Sequence, residues 1–512
     1  KGNKYLFGYH VDVPSHNYLI RDIFGDENYG EPDTKTLYTH NLDFAKKHFR
    51  EKLEFENFQA NNIKDMITKI SERLLFSVLN LSEDAGNNLD ISMVFETLNF
   101  RGKQLSGLER FKNRVLFLVT KQNLNSKTTA NLRGHINETW LEVYKWLGRN
   151  PDPLKVMEDD TFLKAFWLLQ FSRNSMVAKD FKSYQKNLFD IDFDILKFQN
   201  NGHMNPVQLP LWLNNMKKAV VLWYFINNPY QIENDYNFNY HYTPNIQRSL
   251  RRLNNFPFGY GKYMLNLILA ILMRLLPLKH GEENLSNEEE KNLKSIEEFL
   301  WAAERHNIIC FLFYGHKTNY NQETTFRDIN IYFNSGNAGI AGLSLLQQLK
   351  TSRIEHFNWE DFDHNLILGN FFFTWDGLQF VFREYEESLS GNIIDKEISI
   401  CRIYPEEDNI RTTYHDINRL GSIKRRKYSY ALGNIFISNN SHNARDFAGH
   451  QNRIQNAIAN QNKIYEIERE LLEYDIWDTE AIDERSKKIL NFIIEKWDLP
   501  KPGERFWNNY FS

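Results

Sequence analysis

Cysteine is almost absent from this chain, with Cys310 and Cys401 the only two in 512 residues. Two cysteines cannot staple a fold, so the disulfide framework of small secreted domains is excluded and a reducing, cytoplasmic compartment is the simpler expectation. Long apolar runs are lacking as well. The most apolar stretch, Met264 to Leu278, is broken by Asn266, Arg274 and Pro277 and falls short of the ~20 residues a spanning helix needs. It predicts a buried core helix, and no membrane partner is expected. Nor does the chain carry a large charge of one sign: 62 Lys and Arg stand against 66 Asp and Glu, for a net −4, which excludes a uniformly basic nucleic-acid coat. The first residues, Lys1-Gly2-Asn3-Lys4, contain neither Met nor an apolar signal region, and read as a start inside a longer polypeptide or at its first ordered residue.

What is present is apolar and aromatic. Hydrophobic residues make up 42% of the chain and aromatics 15%, with 39 Phe and 25 Tyr, enough for large cores. At roughly 150 residues per domain the length suggests about three. Apolar residues recur at three- and four-residue steps between Phe44 and Leu79, which predicts a helix buried on one face. Further helices are expected around 108–119, 130–147, 161–171 and 216–226. Ser286 with Glu289 three positions on forms a capping-box signature, opening a helix that runs past Trp301. Strand signals are scarce: 370–373 and 380–382 are candidates, Tyr385-Glu386-Glu387 fits a helix broken at Gly391, and β-prone runs follow at 397–404 and 431–438. A long helical stretch, 444–474, and a last helix, 481–497, complete the chain. The expected fold is mainly α, a large helical body with a small C-terminal α+β domain, divided as 1–150, 151–390 and 391–512.

Charge is uneven across that last boundary. From Arg411 to Lys463 nine basic residues stand against two acidic ones, a local +7 that leaves −11 for the rest of a chain whose total is −4. A basic island in an acidic protein is the mark of a phosphate-binding face, and a solvated basic loop is its plain alternative. The order of features around it is a strand ending Ile403-Tyr404-Pro405, the cluster Lys424-Arg425-Arg426-Lys427, a strand with Leu432-Gly433-Asn434, a turn with Asn443, and a helix with His450. Strand, returning strand and helix compose a ββα unit able to grip one divalent metal and a scissile phosphate. Such a unit needs a base at the first strand, an Asn to hold the loop, and a metal ligand on the helix. Asn434, Asn443 and His450 stand in the right order for the last two roles.

This C-terminal part resembles the HNH-type endonuclease domain of the GmrSD-like, modification-dependent restriction enzymes. The residues that carry the resemblance, over about 120 positions, are Cys401-Arg402-Ile403-Tyr404-Pro405, Leu432-Gly433-Asn434-Ile435, Asn443, Phe447-Ala448-Gly449-His450, and Trp477 followed by Ile482-Asp483-Glu484-Arg485 and Trp497. The family's Glu-His pair, a metal ligand and the general base, falls on Cys401 and Arg402. Arginine stays protonated at any working pH, so Arg402 cannot be the base. Either another group such as His415 takes that role, or the domain does not cleave. Ile354-Glu355-His356 with Leu368-Gly369-Asn370 mimics the motif at too short a spacing.

Towards the N-terminus, Val94 to Ser106, with Phe95-Glu96-Thr97-Leu98-Asn99-Phe100-Arg101-Gly102-Lys103, resembles a motif of the same family's DGQQR-type domain, which has a ParB/sulfiredoxin-like core. Lys112-Asn113 follows it as in the family. Taken by itself, Arg101-Gly102-Lys103 is a turn offering amides and two cations to a phosphate, or else an ordinary glycine turn. The Asp-Gly-Gln-Gln-Arg motif itself does not occur in the sequence, which predicts that an N-terminal segment of the same protein is missing and would be a partner. The resemblance implies an anti-phage factor acting on double-stranded, modified foreign DNA. It implies Mg or Mn at His450, and catalysis through Asn434, Asn443, His450 and His415. DNA would be held by Arg402, Lys424, Arg425, Arg426 and Lys427, and an NTP by Asn99, Arg101, Lys103 and Lys112. The substitutions at Cys401 and Arg402 keep open a non-cleaving, DNA-binding or regulatory member of the same family, and the sequence leaves a homodimer open.

Overall fold

The computed structural model describes residues 14–28, 37–55, 60–75, 105–149, 157–171, 183–194, 196, 198, 204–234, 239–256, 264–278, 285–314, 357–359, 375, 377–392, 394, 398–405, 414–439 and 446–511. They are mostly helical. The principal helices are α1 (Leu37–Phe55), α2 (Ala60–Arg73), α3 (Gly107–Thr120), α4 (Ser126–Leu147), α5 (Asp159–Phe171), α6 (Leu209–Asn227), α7 (Pro244–Asn254), α8 (Leu265–Leu275), α9 (Asn287–Asn307) and α10 (Leu378–Ser390). After them come β1 (Ser399–Arg402), the short helices α11 (His415–Asn418) and α12 (Ser422–Ser429), β2 (Ile435–Ser438), α13 (Phe447–Ala459), α14 (Thr479–Lys496) and α15 (Glu504–Phe511). No described helix is long and apolar enough to cross a membrane, and α8 is the buried helix expected there, with Leu267, Leu269 and Leu272 fully covered.

Helix ends follow local chemistry. Ser286 and Glu289 close the expected capping box, and Ser106 with Glu109 closes a second at the start of α3. Each satisfies two otherwise orphaned amides. Gly391 ends α10 with a left-handed φ of 71°, where a Cβ would be strained.

Several expectations change. The candidate strand 380–382 is part of α10, because Leu378, Val381, Phe382 and Tyr385 are buried at helical steps and a three-residue apolar run is too short to fix a period. The stretch 444–474 is not one helix: Gln461, with φ 54°, breaks it after α13. The stretch 44–79 gives two helices where it is described, and the face expected to be buried is open, with Phe44 65%, Phe49 67%, Ile67 57% and Ile70 48% exposed. Apolar spacing marks a face without supplying its cover. The candidate strand 370–373 lies outside the described residues.

The chain forms two compact units. One comprises Lys1–His241, Asn266–Asn284 and Gln322–Gly336. Its aromatic centre is Phe111 of α3, whose ring lies 5.8 Å from Trp140, 4.6 Å from Phe193 and 5.5 Å from Trp212. Buried indoles find acceptors, Trp140 in the Leu108 carbonyl and Trp167 in Asp192. The other unit comprises Tyr242–Leu265, Leu285–Asn321 and Asn337–Ser512. The expected limits near 150 and 391 do not coincide with these units: residues on both sides of Gly391, such as Val381, Tyr385, Ile435 and Ile489, share one apolar core. Buried charge joins the helices of this unit. Arg252 meets Glu384 at 2.8 Å and Glu387 at 2.9 Å, and Lys496 meets Glu384 at 3.1 Å. Burial and the Glu304 carboxylate still push Glu384 well above the usual range.

In the first unit three carboxylates gather at the start of α3. Ser106 Oγ donates to Asp159 at 3.3 Å, and the Leu108 amide donates to Asp160 at 3.2 Å. Burial pushes Asp159 up to about 6, with Glu109 and Asp160 adding to the rise against the Ser106 hydroxyl. A carboxyl held above its unfolded value binds its proton more tightly when folded. Stability is therefore lost as pH rises from about 4 to about 6 and stays lost above. Asp159→Asn keeps the acceptor and removes the charge, so thermal melts should show a higher midpoint than wild type at pH 7 and the same midpoint at pH 4.

Candidate nucleic-acid interface

β1 and β2 pair antiparallel, with Cys401 opposite Phe436 and Arg402 opposite Ile435. What fixes this short ribbon is the turn that feeds β2. Asn434 is completely buried, and its amide is fully used: Nδ2 donates to the carbonyls of Tyr404 and Ser429, both at 2.9 Å, while Oδ1 accepts from the Tyr404 amide at 2.8 Å and the Trp477 indole at 3.1 Å. On either side of it, the guanidinium of Arg485 donates to the carbonyls of Gly433 at 2.5 Å and Ile435 at 2.7 Å. Arg485 is itself wholly buried, and Glu470 lies 3.5 Å away. Glu470 in turn accepts from Tyr385 at 2.6 Å and pairs with Lys488 at 2.7 Å. A buried guanidinium without such partners would cost several kcal/mol, about the scale at which lone buried charges unfold proteins. Gly433 is obligatory here, since a Cβ would sit 2.2 Å from the Ile482 carbonyl and 2.6 Å from the Ser486 amide.

Strand alternation sends the two residues at the expected base position to different places. Cys401 is buried in an apolar cluster with Ile403, Phe436 and Phe447. Arg402 is half-buried and lies over the ring of Tyr430, 5.2 Å from its centre. Arg426, exposed on α12, lies over the same ring at 5.5 Å. The strand cation and the helix cation therefore both lie over the ring of Tyr430. Lys424 and Arg426 are exposed and Arg425 and Lys427 half-buried. Lys427 lies close to Asp483 of α14, which also accepts from Tyr428 at 3.3 Å. Burial pushes Asp483 up to about 6, against the pull of the Tyr428 hydroxyl and of Lys427, and burial likewise lowers Lys427.

The basic island is thereby sharpened. Arg453 is engaged by Glu468 at 2.6 Å, Arg419 lies 3.7 Å from Asp416, and Lys427 is balanced by Asp483. Lys424, Arg425 and Arg426 cluster on α12, and Arg402 lies over the same Tyr430 ring as Arg426.

His450 sits in the first turns of α13, behind an Asp446 cap. It is 1% exposed, and its ring meets Phe436 of β2 edge to face at 5.7 Å. The helix thus meets β2 through this ring, with the imidazole turned inward. No group of three or more His, Cys, Asp or Glu side chains suited to a metal occurs among the described residues. The backbone of His415 begins α11, which is tied to the ribbon by Tyr404 Oη donating to Asn418 at 3.0 Å and Tyr414 Oη donating to the Ile403 carbonyl at 3.0 Å. Asn443, Asn99, Arg101 and Lys103 lie outside the described residues, as does the decoy at 354–356. Lys112 is half-buried on α3, and burial lowers its pKa.

Sequence reading missed Tyr430, Tyr428 and Glu470 as members of this site, and gave Asp483 only as part of a motif. The first had a signal: Arg426 and Tyr430 stand four apart, the spacing at which helix neighbours meet. Compared with protein-family models, with curated proteins and with solved structures, the chain matches none.

Removing the Asn434 amide strands four buried groups at once, each worth about 1–3 kcal/mol when unsatisfied. Asn434→Ala should therefore destabilise the protein by at least about 3 kcal/mol in urea melts, whereas Lys424→Ala at the exposed surface should stay within about 0.5 kcal/mol of wild type.

Proposed function

We propose that this chain holds double-stranded DNA by its phosphate backbone through the C-terminal ribbon and α12, as a DNA-acting member of the GmrSD-like restriction family. The observation that carries this reading is that Arg402 and Arg426 both lie over the ring of Tyr430, beside the exposed Lys424 and half-buried Arg425 on α12. Guanidinium and ammonium groups clustered on one short element bind phosphate by charge and by forked hydrogen bonds, with no base to read. Of the two family readings, the non-cleaving one is favoured. At the expected base position stands a guanidinium that cannot take a proton, and the expected metal ligand His450 is packed against an apolar ring. The resemblance's modified foreign DNA, its NTP at the N-terminal motif and its anti-phage role belong to this proposal as its setting.

The endonuclease reading has one observation in its favour, the packing of the His450 helix on β2 in the order strand, strand, helix. It would need a divalent metal at His450 and a base other than Arg402.

Filter retention of a plasmid-length duplex at low salt separates these. Neutralising Lys424, Arg425, Arg426 and Lys427 together should abolish retention, and the wild-type affinity should fall steeply with salt, with a slope of roughly 0.9 per phosphate neutralised. Retention that survives the fourfold neutralisation refutes DNA holding by α12. With Mn²⁺ present the duplex should remain intact. Nicking that disappears in His450→Ala would instead establish the nuclease.

A further inference from the structure

Four cations follow one another on α12, and a half-buried acid of α14 is set against them. Asp483 stands between Ile482 and Arg485, both wholly buried. The Ile482 carbonyl lies where a Cβ on Gly433 would strike it, and Arg485 donates to the carbonyls of Gly433 and Ile435. The backbone that carries Asp483 is thus tied on both sides to the turn before β2. Its carboxylate accepts from the Tyr428 hydroxyl of α12 at 3.3 Å, and it and Lys427 each favour the other's charge. Lys424 acts on Lys427 with the opposite sense. On α14 itself the neighbours one turn away, Glu480 and Lys487, are exposed and of opposite sign, so their fields on Asp483 largely cancel. An ion pair that serves stability holds its carboxylate below the usual range. Here burial outweighs Tyr428 and Lys427 together and leaves the carboxyl above that range, at about 6. The ionised form therefore destabilises the fold at neutral pH, and its charge is directed at the helix that the DNA-holding reading uses.

We propose that Asp483 is an internal competitor for phosphate, a fixed carboxylate held against α12 that sets how tightly this helix holds DNA. This rests on the proposed DNA-holding reading and deepens it. Ionised, the carboxylate repels an incoming phosphodiester and draws on the field of the α12 cations. Protonated from solvent, it stays hydrogen-bonded to Tyr428 as a neutral group, and the face gains one positive charge. DNA is then held more tightly as pH falls through about 6, and less tightly as it rises.

The test is fluorescence anisotropy of a short labelled duplex against the full chain, at about pH 5.5 and about pH 7.5 and a fixed ionic strength of about 50 mM. Asp483→Asn removes the charge and keeps an acceptor for Tyr428. At the higher pH it should bind about fivefold more tightly than wild type, the scale of one unit charge acting through a dielectric near 20 and screened by salt. At the lower pH, where the wild-type carboxyl is mostly protonated, the two should agree within about twofold. Other groups that titrate in this window act on both proteins alike, so the difference between them isolates Asp483. Glu484→Gln, which neutralises the exposed acid next to it, should bind within about twofold of wild type at both pH values. The melting midpoint of Asp483→Asn at the higher pH should be no lower than that of wild type. A lower midpoint would assign the carboxylate to the fold and overturn the proposal. Equal tightening by Glu484→Gln would reduce the effect to net charge and overturn it as well. If Asp483→Asn binds like wild type at the higher pH, the competitor is overturned and DNA holding stands. If neither protein binds the duplex at either pH, both readings fall together.

Discussion

The C-terminal unit depends on a polar constraint placed where an apolar core would ordinarily suffice. Two four-residue strands cannot stand alone in water, and here the ribbon is held by a buried amide that uses its whole bonding capacity and by a buried guanidinium that straddles it. Asn434 locks the end of β1 to the start of β2 through both backbone groups of Tyr404, and Arg485 locks the same turn to α14. Because Gly433 lets the α14 backbone approach so closely, ribbon and helix behave as one body. Networks of this kind are stabilising only when complete. That explains why Glu470 lies beside Arg485 to balance its charge, itself held by the Tyr385 hydroxyl and Lys488.

From this rigid frame follows the placement of charge. β1 alternation buries Cys401 and turns Arg402 outward to Tyr430, and α12 brings Arg426 to the same ring. The sum of charge over the island overstated the effect, since Arg453 and Arg419 have their own acids and Lys427 is tempered by Asp483. What remains on and beside α12 is a compact group of cations, Lys424 and Arg426 exposed and Arg425 and Arg402 half-buried. In the other unit, the Asp159 group is held by helix caps and burial, so it modulates stability with pH.

How much of this was legible in the sequence varied with the kind of signal. Caps and breakers were readable because they act locally: Ser286 with Glu289, and Gly391, did what their chemistry dictates. The runs Leu432-Gly433-Asn434-Ile435 and Ile482 to Arg485 were recognisable as motifs, and the structure brings them together with Trp477 and Tyr404 in one knot. Their partners in that knot could not be read, because pairing across fifty residues leaves no periodic trace. Spacing also misled at α1 and α2, where a helical stripe of Phe and Ile residues is exposed. The break at Gln461 depends on a single left-handed residue that composition does not announce. Charge counting located the island but not its centre, because which cations are neutralised is decided by tertiary neighbours such as Glu468 and Asp483.

The most direct measurement is amide hydrogen exchange followed by mass spectrometry, on the full chain with and without an unlabelled duplex at low salt. Slowed exchange confined to peptides spanning α12 and β1, with the peptides of α3, α4 and α6 unchanged, is the predicted result. Unchanged exchange across α12 and β1 under conditions where the duplex is demonstrably bound would contradict the assignment of this face.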